Sequence, residues 1–208
     1  MNLWYRVASV AVLVVAIATA ASANMLANPG FESGLAGWIA FGNVYPQTAL
    51  APQFVPYDGN GLVSMFGNWS GPWNVSGIFQ EFPTMAGESW TMSCKSRFWI
   101  GDPMVGPGAP YNNWVVQKIA FFDASNTEIA AVESTILDGT FASDLWYDNA
   151  PITGMAPAGT VKVQALVLFI QPAQDGGAAH IDNVELIKHG AVPTESTTWG
   201  IIKSLYEE

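Results

Sequence analysis

The sequence predicts an all-β protein built as two packed antiparallel sheets, a β-sandwich that follows a cleaved signal peptide. Three observations predict it. Strand-length runs recur between clusters of Gly, Pro, Asn and Asp; almost no segment beyond the opening residues repeats apolar side chains at helical spacing; and the opening itself has the make-up of an export signal.

That opening places Arg6 before an uncharged apolar stretch, 7–21, which ends in Ala21-Ser22-Ala23. The stretch is shorter than the roughly 20 residues a membrane-spanning helix needs, and polar Asn24 follows at once. Cleavage after Ala23 is expected, with no membrane insertion of the mature chain. No cysteine stands near the cut to carry a lipid. The expected organisation is a signal peptide over 1–23, one sandwich domain over 24–189, and a linker with a short tail over 190–208. The expected location is secreted or extracellular, with the periplasm or the cell surface as further possible destinations. Within the tail, 197–206 reads as a short amphipathic helix capped by Thr197 or Thr198.

The clearest strand runs are 37–42, 62–66, 77–82, 88–100, 114–123, 128–132, 161–171 and 180–187. Along 90–99, Trp90, Met92, Cys94 and Phe98 point one way, and Thr91, Ser93, Lys95, Arg97 and Trp99 the other. The first face reads as core. The second carries an aromatic beside two cations, more than a merely wetted surface needs. Along 161–170 both faces are apolar, which predicts a central strand covered on both sides. Asp58-Gly59-Asn60-Gly61, 123–126 and Asp175-Gly176-Gly177 supply turns. Two connections are long, 67–76 and 101–113, and both are rich in Gly, Pro, Asn and aromatics; such loops often carry function.

Composition removes several classes of function. Seventeen acidic residues against seven basic ones give a formal net charge of −10, a surface that repels phosphate backbones, so nucleic acid is not an expected partner. Cys94 is the only cysteine, so no internal disulfide can form, and its place in a strand run marks it as a small buried apolar residue. The two histidines, His180 and His189, have no zinc-site spacing. No G-x-S-x-G elbow or phosphate loop appears. The acidic residues fall mostly at turns rather than in facing pairs suited to glycoside hydrolysis.

The order of motifs resembles a known family. Asn24-Met25-Leu26-Ala27-Asn28-Pro29-Gly30-Phe31-Glu32-Ser33-Gly34 followed by Gly37-Trp38 looks like the opening of secreted β-sandwich carbohydrate-binding modules of the four/nine type. In the same order come a turn like Asp58-Gly59-Asn60-Gly61, a Gln strand like Ile78-Phe79-Gln80-Glu81-Phe82 and a Gly-led strand like Gly87-Glu88-Ser89-Trp90. A hairpin like Phe121-Phe122-Asp123-Ala124, an Ala-Pro-Ala-Gly turn at 156–159 and Ile181-Asp182-Asn183-Val184 complete the series. The resemblance spans 24 to about 188. It implies a galactose-binding-like jelly roll, a glycan partner and a structural calcium ion. The implied calcium ligands are Glu32, Asp58 and Asp182, helped by carbonyls near Gly34 and Asn60, a set that suits a hard cation.

Sugar rings present a flat face of C–H groups that stacks on aromatic rings, and hydroxyls that need amide, carboxylate or guanidinium partners. Three groups of residues offer both: Trp69 and Trp73 among Asn68 and Asn74; Tyr111 and Trp114 flanking Asn112 and Asn113; and Trp99 with Arg97 and Lys95. Trp38, Trp90 and Trp146 are assigned to the core. The sequons Asn68-Trp69-Ser70 and Asn74-Val75-Ser76 offer glycosylation as the competing reading of the first group. The leading expectation is a non-catalytic carbohydrate-binding protein of undetermined oligomeric state. A surface or adhesion sandwich without glycan specificity is second, and a small jelly-roll lyase or hydrolase third.

Overall fold

The computed structural model describes residues 23–67, 73–106 and 112–190. The expected signal peptide, the tail, Trp69 and Tyr111 lie outside the described residues. Among the described residues eleven strands run in the order β1 (Ile39–Phe41), β2 (Asn43–Thr48), β3 (Gly61–Phe66), β4 (Asn74–Pro83), β5 (Ser89–Arg97) and β6 (Trp114–Phe122). They continue as β7 (Glu128–Asp138), β8 (Tyr147–Asp148), β9 (Ile152–Met155), β10 (Lys162–Gln171) and β11 (Ala178–His189). No described residue is helical.

The strands form a five-stranded sheet ordered β1-β4-β10-β6-β7 and a six-stranded sheet ordered β2-β3-β11-β5-β8, with β9 also on β5. Every pairing is antiparallel. The predicted two-sheet sandwich is therefore the observed fold. Its core lies between the sheets, where Ile78, Ile119, Val163, Val167 and Phe169 of one meet Val63, Met65, Trp90, Met92 and Leu186 of the other. Trp90, Met92, Cys94 and Phe98 are all buried, because period-two alternation puts them on the enclosed face. Trp38 is buried too.

Strand β10 is central, between β4 and β6, as its apolar character predicts. Only its inner face is enclosed, however. Leu166, Leu168 and Ile170 alternate with the fully buried residues and are half-buried, since no third layer covers that side. The expectation of cover on both faces is corrected accordingly.

Turn chemistry holds the connections. Asp123 Oδ1 accepts from the N–H groups of Ser125 and Thr127 at 2.9 and 2.8 Å, with Asn126 left-handed at φ 63°; Asn tolerates that conformation. At Gly59, φ is +62° and a Cβ would lie 2.2 Å from Glu32 Oε1, so a side chain is barred twice.

Candidate functional site

The outer face of the five-stranded sheet carries Trp73 and Trp114, the two flagged aromatics of the first two candidate groups that lie within the described residues. Trp114 opens β6, opposite Ile170 of β10, which in turn faces Val75 of β4. Trp73 precedes β4 and is 65 % exposed, its indole edge-on to that of Trp114 at 6.1 Å and 85°. Down the same face run Phe79 and Phe41, ring centroids 6.4 Å apart, and the exposed Ile39. The site is therefore a shallow apolar ramp beginning at two indoles. Its charges are neutralised locally: Lys118 pairs with Glu128 at 2.9 Å, and Lys162 with Glu81 at 3.1 Å. The hydrogen bonds from Gln164 and Lys162 hold the Glu81 carboxyl below its ordinary range.

Of the other predicted residues, Arg97 and Trp99 stand apart from this ramp, at the end of β5 in the other sheet. Asn112 is half-buried beside the buried Asn113, whose amide donates to Gly176 O at 2.8 Å and whose carbonyl accepts from Val105 N at 3.1 Å. Asn74 is buried, and its amide donates to Gln171 Oε1 at 2.7 Å.

Trp99 and Arg97 lie at the end of β5, in the other sheet. Arg97 points to the outer side, as its alternation requires, yet it is only 3 % exposed. The expectation of an open guanidinium is corrected. The segment 49–58 and Trp146 lie over it: Arg97 donates to Val55 O at 3.3 Å and to Asp144 Oδ1 at 2.9 Å, and its guanidinium sits 5.9 Å from the centroid of a Trp146 ring. Arg97 faces His180 across the strands, and Ser64 faces His180 from the other side, its Oγ 2.8 Å from His180 Nδ1. Burial, with Arg97 adding to it, pulls His180 down to about 4.

Trp146 is the second correction. It is half-buried on the outer side of the six-stranded sheet, not in the core, with its Nε1 donating to Val55 O at 2.9 Å. Its partner is Tyr57, 48 % exposed and edge-on at 6.0 Å. Sequence reasoning passed over Tyr57. The available signal was its place in a Pro-flanked segment where no strand period asks for an aromatic.

Of the three proposed calcium ligands, Asp182 and Glu32 both lie beside Gly30. A Cβ built on Gly30 would lie 3.7 Å from both Asp182 Oδ1 and Asn183 Oδ1, and 4.0 Å from Glu32 Oε1. Asp58 does not join them through its carboxylate, which accepts from Gly59 N at 2.8 Å. Among the described residues no three His, Cys, Asp or Glu side chains gather at one point, so a cation here would be held by two carboxylates and the Asn183 amide oxygen. Asp182 Oδ2 accepts from Tyr57 N at 2.8 Å and Asp58 N at 3.2 Å, and Glu32 Oε1 accepts from Asn60 N and Gly61 N at 3.0 Å. Burial, with the Glu32 charge adding to it, raises Asp182 to about 6. No Lys or Arg is ion-paired with either carboxylate among the described residues. Hard oxygen donors with unbalanced charge suit a hard cation.

Among solved structures the chain is similar to the carbohydrate-binding module TmCBM61 in complex with β-1,4-galactotriose, with TM-score 0.52 and 20 % identity over 81 % of this chain and 100 % of that one. It is also similar to the CBM22-1 and GH10 modules of Clostridium thermocellum xylanase 10B complexed with xylohexaose, with TM-score 0.50 and 15 % identity over 80 % of this chain but only 28 % of that one. A Stig cyclase from Fischerella sp. TAU superposes with TM-score 0.50 and 14 % identity over 81 % of this chain and 98 % of that one. No family model and no curated protein matches the chain. At these identities the fold is what is shared, and it hosts both binding modules and a cyclase.

Proposed function

We propose that the protein is a secreted, non-catalytic carbohydrate-binding protein that takes a neutral glycan on the outer face of the five-stranded sheet. The observation that carries this reading is the Trp73–Trp114 pair: an indole 65 % exposed, held edge-on to a second at the head of an apolar ramp. An exposed aromatic held by a second ring keeps its ordering cost low when a sugar face stacks on it. Trp69, Tyr111 and Asn112, neighbours of these two in the chain, are proposed to complete the subsite, and Trp99 to belong to a separate rim. Arg97 is left out as a contact residue.

The carbohydrate-binding modules among the structural neighbours support the reading, and the ordered motifs support placement near the four/nine type. The locally paired carboxylates of the ramp favour binding over hydrolysis, which needs two facing carboxyls. A structural calcium on Glu32 and Asp182 fits the same reading; when bound it would balance their charge and tie the chain start to β11. The exposed Ile39 and Phe41 on this face favour a second reading, adhesion through an apolar surface.

The test is retention on immobilised neutral β-glycans and isothermal titration with β-1,4-galactotriose and xylohexaose. Trp73→Ala combined with Trp114→Ala is expected to weaken binding at least tenfold. Binding unchanged in that variant, or no glycan retained by the wild type, overturns the reading.

A further inference from the structure

On the outer side of the six-stranded sheet, away from the ramp, stands a second aromatic pair that the proposed function does not use. Tyr57 is 48 % exposed and lies edge-on to Trp146. Both are fixed from below. The Tyr57 N–H donates to the buried Asp182 carboxylate at 2.8 Å, and Trp146 Nε1 donates to Val55 O at 2.9 Å. The Lys95 ammonium stands 5.1 Å from the Tyr57 ring centroid, and the Arg97 guanidinium 5.9 Å from a Trp146 ring. Arg97 Nε is buried with no hydrogen-bond partner, so that guanidinium is held here partly by the indole it underlies.

The rim of this pair is polar and electrically balanced. Lys95 is ion-paired with Asp148, and Arg97 with Asp144 at 2.9 Å; the two carboxylates keep 80 % and 42 % of their side chains exposed. Two rigid rings set among carboxylates that can accept hydrogen bonds from hydroxyls form a surface for an uncharged polyhydroxylated ring. The net charge of −10 and these exposed carboxylates disfavour an anionic ligand.

We propose that Tyr57 and Trp146 form a second binding platform for a neutral sugar, so that the protein is bivalent and bridges two glycan chains. The inference rests on the reading above for its first site. Sheets in a sandwich pack roughly 10 Å apart, and the two platforms face in opposite directions, so one straight chain cannot occupy both. Two weak sites then act together on a polymer network.

Isothermal titration with β-1,4-galactotriose and with xylohexaose gives the stoichiometry, and turbidity of the matching soluble polysaccharide reads bridging. The wild type is expected to bind two oligosaccharides and to precipitate the polymer. Tyr57→Ala with Trp146→Ala, and separately Trp73→Ala with Trp114→Ala, are each expected to leave one site and no precipitation. In the Trp73→Ala, Trp114→Ala protein, the ring resonances of Tyr57 and Trp146 are expected to shift on titration, a readout independent of how well the other variant folds. One site, lost with Trp73 and Trp114 and unaffected at Tyr57 and Trp146, overturns bivalency and leaves the first reading standing. One site, lost only with Tyr57 and Trp146, overturns the first reading and bivalency with it. No binding overturns both.

Discussion

Trp73, just before β4, and Trp114, opening β6, meet edge-on with 6.1 Å between ring centroids, although β10 lies between those strands. The register explains the meeting. Val75, Ile170 and Trp114 form one cross-strand row, and Trp73 closes that row from the end of β4. Because Trp73 is largely exposed, its removal discards little buried area. Trp73→Ala is therefore expected to change unfolding free energy by less than about 1 kcal/mol while weakening glycan binding. Urea unfolding and titration of the same variant measure the two effects. A large loss of stability with unchanged affinity would assign the ring to packing.

Cys94 offers a contrast, a reactive group made inert by its surroundings. It is buried between the sheets, and burial pushes its thiol up to about 12. The thiolate is the nucleophile. At pH 8 the native protein is expected to show no reaction with an aromatic disulfide reagent over minutes, and one full equivalent in guanidinium chloride. Immediate labelling of native protein would contradict the enclosed position.

Glu88 anchors the end of the core. Its carboxylate takes Lys188 Nζ at 2.8 Å, Thr84 Oγ1 at 2.9 Å and Met85 N at 3.1 Å, and Thr84 Oγ1 in turn accepts from the buried Trp90 Nε1 at 2.9 Å. The bond from Lys188, with those from Met85 and Thr84 against the opposing effect of burial, holds the carboxyl below its ordinary range. A depressed native value contributes stability that is complete above the unfolded value near about 4.3 and is lost as pH falls through the native one. Glu88→Gln is expected to cost about 1–3 kcal/mol at pH 7. The gap to wild type should narrow as pH drops below about 4, where the wild-type carboxyl also takes a proton. Urea unfolding at pH 7 and pH 3 checks it; an equal gap at both would separate the effect from charge.

What the sequence revealed follows how local each signal is. Trp90, Met92, Cys94 and Phe98 were legible as core because one enclosed face imposes a period of two over nine residues. Strand β2, Asn-Val-Tyr-Pro-Gln-Thr, left no such trace: it is an edge strand with no fully buried position and a Pro at its middle, so nothing selects an apolar alternation. The alternation along β5 sets Arg97 on the outer face, as observed, but carries no signal of its burial. What buries it is the segment 49–58 together with Trp146, both distant in the chain, and no local pattern reports a contact across 42 or 47 residues. Trp146 differs from its expected core position for the complementary reason: an aromatic is buried on average, and only the tertiary arrangement sets this one on the outer side.

Glu32 and Asp182 carry a calcium prediction, because both carboxylates lie beside Gly30 and neither is ion-paired with a Lys or Arg among the described residues. Each is already held by backbone N–H groups, so the site is pre-shaped and a bound ion would not need to order it. A ligand that binds only the native state stabilises it by about 2.7 kcal/mol at a hundredfold excess over its Kd. For a domain of this size that amounts to a rise in Tm of roughly 5–10 °C. Chelator-treated protein is expected to show that rise on adding calcium and a smaller one with magnesium, whose demand for tight octahedral geometry this open set does not meet. Asp182→Asn and Glu32→Gln should each abolish the calcium response, whereas Asp58→Asn should preserve it, since the Asp58 carboxylate is turned to its own backbone. Scanning calorimetry of the four proteins with and without calcium reads the result. Equal unfolding temperatures for the wild type in both conditions would leave the two carboxylates as caps for the amides of Tyr57, Asp58, Asn60 and Gly61 and nothing more.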